Sequence, residues 1–159
     1  MDLWAITAYF NPMRFKSRRA NYQVFRERLD LPLVAVELAH DFDFDLRDAD
    51  ADVLIRVRAG DVMWQKERLL NIALSGLPAD CGRVVWIDCD VVFESGGWAG
   101  RLDQLFDRFP LVQAFSVSDP DDDLRLAQGS LDVCEPLQCN PPPARSRLGQ
   151  SHQPHRISR

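Results

Sequence analysis

Two aspartates, Asp88 and Asp90, follow directly on the unbroken apolar run at residues 84–87. Such a run is typical of a strand that is buried on both faces, in the middle of a parallel sheet flanked by helices. Open α/β sheets bind ligands at the carboxyl ends of their strands, where both carboxylates are expected. Because two like charges repel each other, a divalent cation that also holds a phosphate is the partner this pattern favours. The alternative is a strand end whose aspartates cap the next turn.

Basic side chains elsewhere in the chain could complete a phosphate site. Lys66 is predicted to lie in the first turns of a helix, where the positive end of the helix dipole also favours anions. Trp64 and Asn71 share the polar face of that helix, which favours a lined cleft. Arg18 belongs to a basic cluster at residues 14–19, on an otherwise acidic body. For Lys66 the alternative is an exposed side chain paired with Glu67 or another acid, and for Arg18 it is a solvated helix start.

Strand and helix patterns alternate along the chain. Strands are predicted over residues 3–10, 33–38, 53–57, 83–88 and 111–117. The first helix is capped by Ser17 and ends before Pro32, the second runs from Asp61 to Leu77, and the third follows Gly97. The predicted buried stripe of the second helix consists of Leu70, Ala73, Leu74 and Leu77. This alternation predicts a three-layer α/β/α sandwich with a mainly parallel sheet.

The composition narrows the class of partner. The chain has 159 residues, of which 46% are apolar and 27% charged, and its net charge is −5. All acidic residues lie between Asp2 and Glu135, so the body is more acidic than the whole chain. A nucleic-acid partner is not expected, because binding to a phosphate backbone needs a basic surface.

The spacing of the cysteines and the length of the apolar runs indicate the cellular compartment of the protein. The four cysteines have neither CxxC spacing nor the pattern of a disulfide framework, which favours a reducing cytoplasm. No apolar run approaches the ~20 residues that a membrane span needs. The sequence therefore predicts a cytoplasmic protein without a membrane span.

Several segments occur in a recognisable order: WAITAYFNP, RRANYQVFRERL, PLVAVEL, GDVMWQKERLLNIALSGLP and VVWIDCDVVFE. This order resembles the nucleotide-binding half of the GT-A glycosyltransferases, which transfer a sugar from a nucleotide-diphosphate donor. The resemblance covers roughly residues 2–117. Its most specific parts are the lysine-bearing helix and the strand that ends in Asp88-Cys89-Asp90.

The resemblance implies a set of roles. Manganese or magnesium would be held against the donor diphosphate, with Asp90 as a direct ligand. Asp88 would contact the metal or the donor ribose, directly or through water. Thr7 and Asn11, near the end of the first strand, would hold the base and ribose; the alternative for them is a capped turn. The implied donor contacts are completed by Arg18, Lys66 and Asn71.

The domain division follows from the same resemblance. Residues 1–118 would form the nucleotide-sugar-binding domain, and residues 119–139 an irregular remnant of the half that binds an unknown acceptor. Residues 140–159 contain three consecutive prolines and no acids, which predicts a disordered tail. The contrast with the body suggests a truncated or frame-shifted gene end, and an inactive chain.

Two other functions fit parts of the sequence. In a phosphatase of the haloacid dehalogenase type, Asp88 would attack phosphorus and Asp90 would act as acid and base. That motif normally opens its domain, whereas about 80 residues of predicted α/β structure precede it here. The third interpretation is a non-catalytic fragment that binds a nucleotide-sugar, or nothing, without turnover.

Overall fold

The computed structural model describes residues 2–40, 43–58, 63, 65–93 and 96–114. Their elements, in chain order, are β1 (Leu3–Phe10), α1 (Lys16–Arg28), β2 (Leu33–Ala39), a 3-10 helix (Asp48–Asp50), β3 (Val53–Arg58), α2 (Lys66–Ser75), β4 (Arg83–Trp86) and α3 (Trp98–Phe106). The four strands form one sheet in the order β3-β2-β1-β4, and every pairing is parallel. The predicted α/β class with a parallel sheet is confirmed.

Successive side chains of a strand point to opposite faces of the sheet, so an apolar strand presents apolar side chains on both faces. Helices cover both faces of this sheet. On one face, the buried side chains of β1 and β2 pack against Tyr22 and Phe25 of α1 and against Trp98 and Leu102 of α3. On the other face, the sheet packs against α2. The buried residues that α2 contributes are Leu69, Leu70 and Ala73.

β1 is one of the two interior strands, and it pairs with β2 on one side and with β4 on the other. Both β1 and β2 are mainly apolar on both faces, as strands between two helical layers require, and Thr7 and Glu37 are their buried polar residues. Because the sheet is parallel, the carboxyl ends of all four strands lie at the same edge. The loops after β1 and β4 and the start of α2, which follows β3, therefore meet at that edge.

The strand before Asp88 differs from its prediction. β4 ends at Trp86 and lies at the edge of the described sheet, not in its centre. Trp86 is 70% exposed, so β4 is not buried on both faces. The reason is that α2 packs mainly over β1 and β2, so on that face of β4 Val84 is only partly buried and Trp86 is exposed.

Two helix starts also differ from their predictions. α1 begins at Lys16 with Phe15 in the N-cap position, so Ser17 lies inside the helix and is not its cap. α2 begins at Lys66 after Gln65, and the predicted cap Asp61 lies outside the described residues. Leu74, predicted to be buried, is 43% exposed, because it lies about 100° around the helix from Ala73, at the margin of the buried face.

The end of the described chain contains one further difference. The third helix is confirmed, but residues 111–114 of the strand predicted over 111–117 are not in a strand. Leu111 is 84% exposed. Residues 115–117, and the predicted segments 119–139 and 140–159, lie outside the described residues. Within the described ranges, no helix has the length and apolar character to cross a membrane.

Candidate functional site

A cleft of about 200 Å³ opens at the carboxyl edge of the sheet, between β1, the segment after β4 and the start of α2. We call it the ionic cleft, because its lining includes Arg18, Lys66, Asp88 and Asp90. The remaining lining residues are Ala8, Phe10, Gln65, Leu69 and Cys89. Four of the predicted site residues, which come from three separate parts of the sequence, therefore lie around one opening.

A tight turn sets the direction of the two carboxylates. The backbone N–H of Val91 donates a hydrogen bond to the carbonyl of Asp88 at 3.1 Å, so Cys89 and Asp90 are the central residues of the turn. Asp88 and Asp90 are exposed, whereas Cys89 between them is 3% exposed. The two-residue spacing thus places both carboxylates at the cleft and the thiol in the core.

Thr7 fixes the segment that leads into this turn. Its side chain is fully buried, and its hydroxyl donates a hydrogen bond to the carbonyl of Ile87 at 2.7 Å. The N–H of Ile87 donates in turn to the carbonyl of Ile6 at 3.1 Å. Thr7, predicted to hold the base and ribose, is not among the residues that line the ionic cleft. It positions the chain immediately before Asp88.

Thr7→Val is expected to lower the free energy of unfolding by about 1–3 kcal/mol. Valine keeps the shape of threonine but lacks the hydroxyl, so the buried carbonyl of Ile87 loses its donor. Urea unfolding of the variant and the parent protein measures the difference. Equal unfolding free energies would show that this bond does not anchor the segment.

Lys66 forms an ion pair with Asp88 inside the cleft. Its ammonium Nζ lies 2.6 Å from Oδ1 and 2.9 Å from Oδ2 of the carboxylate, so it contacts both oxygens. The two side chains are 54% and 51% exposed, and a pair with this much solvent contributes little to stability. Within the described ranges, the side chains of Arg18 and Asp90 make no hydrogen bond or ion pair. Each charge therefore remains available to a ligand.

Cys89 is held as a neutral thiol. Burial raises its pKa to about 11, an effect that Arg18 partly offsets and that the nearby Asp90 and Asp88 reinforce. A thiol of this pKa is protonated at neutral pH, and the thiolate is the form that attacks or binds metal. Cys89 therefore fills the core beneath the turn.

The donor set fits a hard divalent cation held in part by a substrate. Magnesium-type sites use one or two carboxylates together with substrate phosphates and water. Asp88 and Asp90 supply two carboxylates at an open cleft. The described part of the chain contains no group of three or more His, Cys, Asp or Glu side chains that could hold a metal. A cation in this cleft would therefore take its remaining ligands from water and substrate oxygens.

Asn11 lies at a different opening. Its amide Nδ2 donates to the carbonyl of Phe15 at 3.1 Å and to Asp45 Oδ2 at 2.8 Å, and its Oδ1 accepts the N–H of Phe15 at 2.9 Å. These bonds close the turn after β1, which is the capped-turn alternative for this residue. Asn11 lines a second cleft of about 200 Å³, here called the acidic cleft, with Arg14, Glu37, His40, Asp43 and Asp45.

Glu37 in the acidic cleft was missed by the sequence analysis. It is 2% exposed, and its carboxylate accepts the backbone N–H groups of Asp45 and Leu46. Burial raises its pKa, and these two backbone hydrogen bonds partly offset the shift. Glu37 thus anchors the loop after β2. The signal in the sequence was a single carboxylate within the apolar strand LVAVEL.

The two remaining candidates lie away from both clefts or outside the described chain. Asn71 is exposed on α2, where its backbone carbonyl accepts a hydrogen bond from the hydroxyl of Ser75 at 3.1 Å. It lines neither cleft. Trp64, predicted to share its helix face, is not among the described residues.

Comparisons of this chain with protein-family models, with curated proteins and with solved structures found no match. What the fold and site define is a class: an α/β protein with a four-stranded parallel sheet and an ionic cleft at its carboxyl edge.

Proposed function

We propose that this chain is the donor-binding region of a metal-dependent glycosyltransferase, and that it binds the diphosphate of a nucleotide-sugar in the ionic cleft. One observation carries the proposal: Arg18, Lys66, Asp88 and Asp90 line the same opening. That opening lies at the carboxyl edge of a parallel sheet, where proteins of this class bind ligands.

The charges around the cleft match a metal-bound diphosphate. A diphosphate is strongly anionic, and Lys66 and Arg18 supply cations against it. The start of α2 adds the positive end of a helix dipole beside Lys66. Asp88 and Asp90 alone would repel a diphosphate, so their presence in this lining is consistent with a divalent cation between the carboxylates and the phosphates.

The residues in and beside the ionic cleft have separate proposed roles in donor binding. Asp90, which has no partner within the described ranges, is the proposed direct metal ligand. Asp88 is the proposed second contact, to the metal or to the donor ribose. When bound, the divalent cation would neutralise the charge that develops on the leaving diphosphate. Thr7 keeps the turn in place, and Arg18 reaches the phosphates from α1.

The order of segments in the sequence adds independent support, because it resembles the nucleotide-binding half of the GT-A glycosyltransferases. The lysine-bearing helix and the Asp88-Cys89-Asp90 motif are the most specific parts of that resemblance. These are also the parts that line the ionic cleft.

Calorimetric titration with UDP and with GDP, in manganese and in EDTA, tests the proposal. We expect one of the two nucleotides to bind when manganese is present and to lose measurable binding in EDTA, because the carboxylates then repel the diphosphate. Equal affinity in manganese and EDTA would contradict a metal-dependent donor site, and so would the absence of binding to either nucleotide.

A phosphate-monoester assay separates this proposal from the phosphatase alternative. An aspartate nucleophile at position 88 would release phosphate from p-nitrophenyl phosphate, whereas a donor-binding site would not. Turnover that Asp88→Asn removes, without metal-dependent nucleotide binding, would overturn the glycosyltransferase proposal.

A further inference from the structure

We propose that Lys66 is an internal counter-ion that couples metal binding to nucleotide binding. Without ligand, its ammonium holds Asp88. When metal and nucleotide enter together, the ammonium leaves Asp88 and pairs with the donor diphosphate. The inference rests on the proposed function, since it concerns how the same cleft exchanges its own cation for a bound one.

The first step, in which Lys66 holds Asp88 in the absence of ligand, follows from the geometry of the ion pair. The ammonium of Lys66 lies 2.6 Å from Oδ1 and 2.9 Å from Oδ2 of Asp88, so it faces both oxygens of the carboxylate. A divalent cation bound by Asp88 needs at least one of those oxygens. Lysine and metal are therefore competitors for Asp88, whereas Asp90 has no competing cation within the described residues.

The second step, in which the Lys66 ammonium leaves Asp88, follows from the weakness of this ion pair. An ion pair between half-exposed side chains favours the paired state by up to about five-fold, which holds Asp88 in place yet allows displacement. Lys66 is the first residue of α2, and its flexible stem lets the ammonium move within the cleft. A diphosphate at this cleft gives the displaced ammonium a new anionic partner, so the nucleotide lowers the cost of metal binding.

The chain offers a matched control, because it contains only two lysines, Lys16 and Lys66. Lys16 is exposed at the start of α1 and does not line the ionic cleft. Lys66→Met and Lys16→Met remove the same charge from exposed helix starts. Lys66→Arg keeps a cation at the site.

Free manganese, measured by electron paramagnetic resonance during titration with and without UDP, tests the coupling; GDP replaces UDP throughout if calorimetry shows that GDP is the nucleotide that binds. Without UDP, Lys66→Met is expected to bind manganese about five-fold more tightly than the parent protein. The parent, Lys16→Met and Lys66→Arg are expected to bind it equally. UDP should raise the manganese affinity of the parent more than that of Lys66→Met, because only the parent must displace a lysine.

Two outcomes would overturn the inference while leaving the proposed function standing. In the first, the parent protein binds manganese in the presence of UDP, but in the absence of UDP Lys66→Met binds manganese no more tightly than the parent. In the second, Lys16→Met gains as much affinity as Lys66→Met, which would indicate a general effect of net charge. If the parent protein binds no manganese with either UDP or GDP, both this inference and the proposed function fail.

Discussion

Asp90→Asn is expected to abolish manganese-dependent nucleotide binding and to leave the fold intact. The amide keeps the size and shape of the carboxylate but removes the charge that a hard cation requires. Loss of a hydrogen-bonding partner of a metal ligand already costs about 10–100-fold in metal affinity, so loss of the ligand itself should exceed 100-fold. Asp90 is exposed and has no hydrogen-bond partner within the described ranges, so the thermal midpoint should not change.

Asp80→Asn is the matched control for this experiment. Asp80 is an exposed aspartate in the turn before β4, at the opposite end of that strand from Asp90. Both variants lose one negative charge, and only Asp90→Asn alters the cleft. Unchanged nucleotide affinity in Asp90→Asn, at equal manganese, would show that the motif is structural. An equal loss in Asp80→Asn would assign the effect to net charge.

Trp98→Ala is expected to lower the free energy of unfolding by about 3–5 kcal/mol, the largest stability effect predicted for this chain. Trp98 is 2% exposed at the first position of α3, and its ring stacks on Phe93 at 4.1 Å between centroids. It lies in the core cluster that joins α1 and α3 to the sheet. Truncation to alanine leaves a cavity there, which urea unfolding would register as a lower midpoint.

Trp86→Ala provides the comparison, because it removes the same side chain from an open surface. Trp86 is 70% exposed on β4, so its truncation should change the unfolding free energy by no more than about 0.5 kcal/mol. A loss at Trp86 as large as that at Trp98 would contradict the exposed position of Trp86.

The class of fold is predictable from the sequence because the buried strands consist of nearly continuous apolar residues. β1 and β2 are mainly apolar on both faces, and the helices between the strands carry apolar stripes, so a parallel sheet between helical layers follows. The position of β4 could not be predicted in the same way. An apolar run at residues 84–87 is compatible with burial, but it carries no information on how many neighbours the strand has.

The site was predictable in part for a related reason. The sheet-edge rule brings Lys66, Asp88 and Asp90 together without any knowledge of side-chain direction. Whether Thr7 reaches the ionic cleft depends on the face of β1 to which its side chain points. The even-numbered residues of β1, Ala8 and Phe10, line the cleft. Thr7 is odd-numbered and points to the face that α1 and α3 cover, so alternation along the strand excludes it from the cleft.

The interior place of β1, between β2 and β4, has a consequence for how the chain folds during synthesis. One edge of β1 is filled by β2, but the other is filled only by β4, and the Thr7–Ile87 bond joins residues 80 apart in sequence. At a synthesis rate of about 5–20 residues per second, roughly 4–16 s separate these two residues on the ribosome. During that interval an apolar strand has an unpaired edge, the kind of surface on which nascent chains associate. Sheet closure over so long a loop makes this a slow-folding topology for its size.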